Sequence, residues 1–257
     1  MSAPLLEVQD LRLGVNGRTL LRDFSFRLCA GEVWCMLGPN GVGKSTFLHT
    51  AVGLREPQGG VLRLAGKRLA DWPVGEAARL RSFLPQTFHD AFSAGVMECV
   101  MLGQHPHLSR WQWEGGTERE IALAALQAVD LAGFQRRDVL TLSGGERQRV
   151  ALAAVLAQDA PLLLLDEPVS HLDLHHQIMV LTHVGLLART RGKGVLFTVH
   201  DLNLAARFAT HALLLTPQGE VRQGLIAEVM NEAALWAAFG HRVTRIEAAG
   251  RALFVPE

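Results

Sequence analysis

Tyrosine is absent from this 257-residue chain and lysine nearly so: only three of the 25 basic side chains are lysines, Lys44, Lys67 and Lys193. Acidic side chains also number 25, so the formal net charge is zero, and no long block of either sign occurs. Without a positive surplus the chain lacks the electrostatic term that dominates binding to phosphate backbones, and nucleic acid is not an expected partner. The three cysteines, Cys29, Cys35 and Cys99, are an odd number without C-x-x-C spacing. That argues against a disulfide framework or a zinc site and fits a reducing compartment. No apolar run approaches the ~18 to 20 residues of a membrane-spanning helix. Residues 1–7 lack the basic start and apolar centre of a signal peptide, so other chains are expected to hold the protein wherever it works at a membrane.

What is present is ample apolar material. Hydrophobic residues make up 49% of the chain and mean hydropathy is +0.17, enough to bury the core of one large or two modest domains. The stretch Val33-Trp34-Cys35-Met36-Leu37-Gly38-Pro39-Asn40-Gly41-Val42-Gly43-Lys44-Ser45-Thr46 reads as an apolar strand, a glycine-rich turn and a helix start. It carries the phosphate-loop pattern G-x-x-x-x-G-K-[ST] in the strand, loop, helix order that the pattern requires. Glycines at 38, 41 and 43 let backbone amides curl around a phosphate chain while the helix turns its positive end toward it. Lys44 is then expected to reach the β and γ phosphates and Ser45 to ligate Mg²⁺.

Apolar runs at 5–13, 24–28 and 60–64 read as further strands, set off by Val15-Asn16-Gly17, Ala30-Gly31 and Gly59-Gly60. From about residue 88 the texture turns helical, with apolar spacing over 120–129 and 144–156 and turn clusters at Pro106-His107 and Gly115-Gly116. The runs 161–165 and 194–199 are almost wholly apolar, as expected for strands buried on both faces of a parallel sheet, with a helix over 176–190 between them. The tail carries a hairpin signal at Pro217-Gln218-Gly219 and a helix over 232–239. The expected fold is α/β, a P-loop core with an antiparallel β subdomain and an inserted α-helical subdomain. Residues 1–87 and 159–257 would form the core and β subdomain, and 88–158 the insertion.

Leu162-Leu163-Leu164-Leu165-Asp166-Glu167 is a hidden strand ending in two carboxylates, at the sheet edge where ligands of open α/β folds bind. Asp166 suits Mg²⁺ coordination, usually through water, and Glu167 is placed to orient or deprotonate an attacking water. Leu142-Ser143-Gly144-Gly145-Glu146-Arg147-Gln148 is a second glycine-bearing helix start. It reads either as an anion site for the γ-phosphate of a neighbour's nucleotide or as a Ser-capped helix with Glu at N3, and spacing does not separate the two.

Taken together these segments resemble the nucleotide-binding subunit of ABC transporters over essentially the whole chain. Gly38 to Thr46 matches the Walker A loop, Gln86 in Leu84-Pro85-Gln86 the Q-loop, and Leu142 to Gln148 the signature. Asp166 and Glu167 match Walker B and the catalytic glutamate, Ser170-His171-Leu172-Asp173 the D-loop, and His200 in Thr198-Val199-His200-Asp201 the switch histidine. The resemblance implies that His200 contacts the γ-phosphate and holds Glu167 and the water in line, while Gln86 senses Mg²⁺ or water. It implies ATP as substrate with Mg²⁺, and two copies closing head to tail so that Ser143, Gly144, Gly145 and Asp173 of one meet the nucleotide of the other. Membrane permease subunits, indirectly a substrate-binding protein, and a peripheral place on the cytoplasmic face of the inner membrane are implied as well, with the segment from Phe88 to His107 gripping the permease.

One departure stands out. The family stacks adenine on an aromatic side chain upstream of the P-loop, and Val15 occupies that place here. Val100-Met101-Leu102-Gly103-Gln104-His105-Pro106-His107 and Leu172-Asp173-Leu174-His175-His176-Gln177 resemble importer ATPases for ferric siderophores, haem and vitamin B12. Direct metal binding by those histidines is not expected, since ligand spacing without a converging fold is poor evidence. The alternatives are a soluble ABC-type ATPase serving DNA repair, translation or cluster assembly, an importer ATPase for a different cargo, or a silent binding subunit; the repair type would need a long coiled-coil insertion and the translation type a second cassette, neither of which is seen, and the silent subunit fits badly with Glu167 and His200.

Overall fold

A computed structural model describes residues 3–87, 92–108, 116–248 and 250–257. Residues 88–91 of the expected permease-gripping segment and Gly115 of the Gly115-Gly116 turn lie outside them. The chain opens with an antiparallel pair, β1 (Leu6–Val15) and β2 (Arg18–Leu28). Asn16 and Gly17 between them both have positive φ, +50° and +79°, the mirror-turn conformation that suits the right-handed twist of a hairpin. β2 starts six residues before the run at 24–28 because its outer half is exposed except at Leu20 and Leu21 and carries no longer apolar block.

β3 (Val33–Leu37) is buried at every position and leads through the glycine loop into α1 (Lys44–Ala51). β4 (Gly59–Leu64) and β5 (Lys67–Arg68) return to the front sheet, whose order is β2-β1-β4-β5. The short α2 (Val74–Leu80) and β6 (Arg81–Leu84) follow, and neither has a strong signature in the sequence. α3 (Val96–Met101), α4 (Gly116–Ala128) and α5 (Gly144–Ala157) pack on one another as the helical layer. The remaining core elements are β7 (Leu162–Leu165), α6 (Leu174–Arg191), β8 (Gly194–Thr198), α7 (Leu202–Phe208), β9 (His211–Leu215) and β10 (Val221–Leu225). Pro217-Gln218-Gly219 makes the β9–β10 turn, as its sequence predicts. α8 (Ile226–Val229), α9 (Glu232–Phe239) and the hairpin β11 (Val243–Ala248) and β12 (Arg251–Pro256) close the chain.

The central sheet runs β10-β9-β3-β8-β7-β6, with parallel pairing throughout except at β10. Period-two alternation divides even its wholly apolar strands between two cores. Val33, Cys35, Leu37, Leu163, Leu165, Val195 and Phe197 join the helical cluster, whereas Trp34, Met36, Leu162, Leu164 and Leu196 face α1 and the front sheet. The carboxyl ends of β3, β7 and β8 therefore emerge side by side between two anchored layers, and every motif identified in the core leaves from that edge.

Candidate active site: a phosphate loop facing two carboxylates

Where β3 ends, the backbone must turn sharply. Gly38 has φ +146°, and a Cβ there would lie 2.7 Å from the carbonyl oxygen of Leu215. Gly43, at φ +114°, caps α1 and would carry its Cβ 3.2 Å from Leu20. Both positions exclude a side chain, so the loop follows the path that turns its amides inward. Lys44 is 7% exposed and donates to the carbonyls of Gly38 at 2.7 Å and Pro39 at 3.1 Å. Burial holds its ammonium below the ordinary lysine value, an effect that Glu167 and Asp166 oppose.

Opposite stand the carboxylates at the end of β7. Asp166 is 1% exposed; its Oδ1 accepts from the Thr198 hydroxyl at 2.7 Å, while Oδ2 is buried with no hydrogen-bond partner. Glu167 has φ +51°, a left-handed conformation costing about 1–3 kcal/mol that the surroundings must hold in place. Its N–H donates to the Thr198 hydroxyl at 2.7 Å, and its carbonyl accepts from Gln148 Nε2 at 3.2 Å and from the Ser170 hydroxyl at 3.0 Å. One threonine hydroxyl at the end of β8 thus ties both carboxylates. On the side chain, Glu167 Oε1 lies 2.8 Å from both Gln86 Nε2 and His200 Nε2. A carboxylate only accepts, so His200 carries its proton on Nε2 in this contact.

Lys44 and the Gln86–Glu167–His200 cluster border a cavity of about 620 Å³. Asn40, Gly41, Gly43, Lys44, Ser45 and Thr46 form one wall and Gln86, Glu167 and His200 the other, while Val15, Asn16, Arg18 and Leu20 line its outer part. Of the predicted residues, Gly38, Pro39 and Val42 do not line it: Gly38 backs onto Leu215 and Val42 is buried in the front core. Asp166 sits behind Glu167, fully buried. Arg18 was not anticipated; it is exposed, with no ion pair among the described residues. Thr198 and Gln148 were also missed, because a threonine ending a strand and a glutamine inside a helix carry no motif.

Ser143, Gly144, Gly145 and Asp173 do not border this cavity. Ser143 and Glu146 form the reciprocal capping box, with Ser143 N–H donating to Glu146 Oε2 at 2.7 Å and Glu146 N–H to Ser143 Oγ at 3.3 Å. That contact from the Ser143 N–H is the main reason the Glu146 carboxyl stays below its usual range. A Cβ on Gly145 would lie 2.9 Å from the carbonyl oxygen of His171, so the start of α5 rests directly on the loop before α6. Asp173 caps α6 by accepting from the His176 N–H at 2.9 Å.

A phosphate loop, a buried aspartate and a glutamate flanked by histidine and glutamine at one sheet edge are the parts of a nucleotide triphosphatase. The ABC transporter family model matches residues 21–170. The chain belongs to the ABC transporter family. Its relatives include a haemin import ATP-binding protein of Deinococcus radiodurans, 42% identical over 94% of this chain and 92% of that one. A haemin import ATP-binding protein of Pseudomonas entomophila is 44% identical over 92% of both chains. The iron(3+)-hydroxamate import ATP-binding protein of Bacillus subtilis is 35% identical over 91% and 87%. Among solved structures, an inward-facing transporter assigned to the metal-chelate type superposes with a TM-score of 0.85 at 28% identity, covering 99% of this chain and 98% of that one. A dimeric ATP-binding cassette in a post-hydrolysis state with ADP and phosphate superposes at 0.76 with 27% identity, over 86% and 98%. This ABC protein is an ATP-hydrolysing transporter subunit, and no helix among its described residues is long and apolar enough to cross a membrane.

Proposed function

We propose that this chain is the ATPase of an import system for a metal chelate of the haem or ferric hydroxamate class, working on the cytoplasmic face of the membrane beneath permease subunits. The hydrolytic half of the reading rests on one observation: Gln86 and His200 converge on a single oxygen of Glu167 at the wall of the cavity that Lys44 and Ser45 face. The cargo half is supported by relatives matched along nine-tenths of both chains.

In this mechanism the triphosphate lies along the loop from Gly38 to Thr46, with Lys44 neutralising charge on its terminal phosphates. Mg²⁺ fits the donor chemistry of the residues present: Ser45 would hold it through its hydroxyl, and Asp166, whose Oδ2 is buried without a partner, would hold it through water. When bound, it would supply neutralisation of charge on the phosphate oxygens. With Oε1 of Glu167 held by Gln86 and His200, Oε2 is the oxygen left to orient a water and take its proton. Catalysis then consists of positioning and charge compensation, as expected for phosphoryl transfer. Val15 and Arg18 flank the base, the planar guanidinium of Arg18 serving as the platform that no aromatic side chain supplies. A second copy, head to tail, covers the triphosphate with its Ser143, Gly144, Gly145 and Asp173. Residues near Gln86 and the segment from Phe88 to His107 grip the permease and transmit opening and closing to it, and the permease passes cargo from a substrate-binding protein.

The test is uptake of haem, a ferric hydroxamate and cobalamin in cells lacking the chain, complemented with wild type or Glu167→Gln. Restoration of one chelate by wild type alone is expected. Equal restoration by Glu167→Gln removes Glu167 from the reaction, and restoration of none removes the cargo class.

A further inference from the structure

The loop before α6 is tied to the helical layer at a second point, some distance from the contact of Gly145 with His171. Asp173 Oδ1 accepts not only from the backbone N–H of His176 but also from its ring, at 2.8 Å from Nδ1. The other ring nitrogen, Nε2, lies 3.6 Å from Asp130 Oδ2, too long for a hydrogen bond but an ion-pair distance when the ring carries protons on both nitrogens, the state in which both carboxylates attract it. Asp130 stands just past the end of α4 at φ +56°. It is held there by Arg149, whose Nη1 donates to the carbonyls of Val129 at 3.0 Å and Asp130 at 2.8 Å. Arg149 is 8% exposed and belongs to α5, six residues after Ser143 and so about 9 Å along the same helix.

We infer that His176 is a positioning residue of the half-site this chain presents to its second copy: the imidazole fixes the distance and angle between Asp173 and the Ser143-Gly144-Gly145 helix start. The inference rests on the two-copy reading above. Gln148 of α5 holds the start of the loop through the Glu167 carbonyl, and two struts connect α5 with the segment nearer Asp173. The first is the contact of Gly145 with the His171 carbonyl and the Leu172 side chain, which fixes a distance but has no directional bond of its own. The second runs from α5 through Arg149, Asp130 and His176 to Asp173 and supplies that direction. Asp173 and Ser143 then approach a neighbour's triphosphate as one rigid surface, so the entropy of aligning them is spent on folding and not on association.

The ring and the helix cap are separable. The α6 cap uses the backbone N–H of residue 176, which any residue supplies. His176→Ala therefore keeps the cap and cuts the strut, and Asp130→Asn weakens the strut from the other side while retaining a residue that tolerates positive φ. His175, whose ring lies 5.2 Å from that of His176, is exposed and makes no bridge to Asp130.

The experiment uses the full chain carrying Glu167→Gln, titrated with ATP and Mg²⁺. Dimer formation is followed by sedimentation, and nucleotide binding by single chains is followed by a fluorescent ATP analogue below the dimerisation range. His176→Ala and Asp130→Asn are each expected to weaken dimerisation about tenfold with single-chain nucleotide affinity within about twofold, and the double variant to lose no more than the worse single one. Dimerisation within about twofold of the parent in both variants overturns the inference. So does a parallel loss of single-chain affinity, which would mark a general structural role. If the Glu167→Gln parent forms no dimer at any ATP concentration, the two-copy reading falls and takes the inference with it.

Discussion

Removing one oxygen atom from β8 should loosen both carboxylates of the site at once. Thr198 is fully buried, and its hydroxyl is the hydrogen-bond partner of Glu167 N–H and of Asp166 Oδ1. Thr198→Val replaces that hydroxyl with a methyl of nearly the same size and keeps a β-branched residue in the strand, so neither packing nor strand preference changes much. Two buried polar groups lose their partner, each worth about 1–3 kcal/mol when left unsatisfied. Asp166 suffers more, because its Oδ2 already has none. Water entering from the cavity side recovers part of this at Glu167, so the expected net loss is about 3 kcal/mol, a drop in melting temperature of roughly 6–12 °C for a chain of this size. Glu167 also loses the contact that holds its backbone at positive φ, so kcat should fall at least about tenfold with a much smaller change in KM. Urea unfolding and steady-state ATPase assays on the same preparations read both effects. Thr198→Ser, which restores the hydroxyl, should regain most of each. A melting temperature within about 2 °C of wild type with unchanged kcat would refute the bridging role.

Three further outcomes are expected. Gly38→Ala forces a Cβ to within 2.7 Å of the Leu215 carbonyl at a φ of +146°, so ATP affinity should fall at least about tenfold by equilibrium binding as the loop shifts; unchanged affinity would mean that the loop tolerates another path. Arg18→Ala should weaken ATP by about tenfold but inorganic tripolyphosphate by less than about twofold, because stacking on a base is worth about 1–3 kcal/mol; equal weakening of both would make Arg18 a phosphate contact. His183 on α6 is held below its ordinary 6.5 first by burial and then by Arg191. The unfolded chain therefore binds the extra proton first, so stability is lost as pH falls from about 6.5 toward the folded value, and His183→Gln should flatten that part of the urea midpoint against pH. A midpoint profile in His183→Gln that parallels wild type would exclude this origin.

The linear order of residues was sufficient wherever function is local in the chain. The phosphate loop is nine consecutive residues whose glycines, lysine and serine each carry a constraint of their own. The helix start at Ser143 shows in the Ser-x-x-Glu capping pattern, whereas α6, expected over 176–190, begins two residues earlier on its Asp173 cap. Wholly apolar stretches such as Leu162–Leu165 also declare themselves as hidden strands. The apolar run ending in Asp166-Glu167 is expected at the carboxyl edge of a sheet, and the parallel pairing of β3 with β8 and β8 with β7 sets that edge beside the phosphate loop.

Other features depend on contacts between residues far apart in the chain, and periodicity has nothing to say about them. Thr198 meets Asp166 across 32 positions, and His176 meets Asp130 only because α4 ends near the point where α6 begins. Arg18 borders the nucleotide cavity because a two-residue turn folds β2 back along β1. β6 and α2 are too short to show a period of their own, and packing against β7 defines β6 as a strand. Local sequence thus selected the chemical groups and the elements that carry them. Which hydroxyl holds which carboxylate, and which side chain fixes one loop against another, was decided only when burial brought distant segments into contact and left each buried polar group to find its partner there.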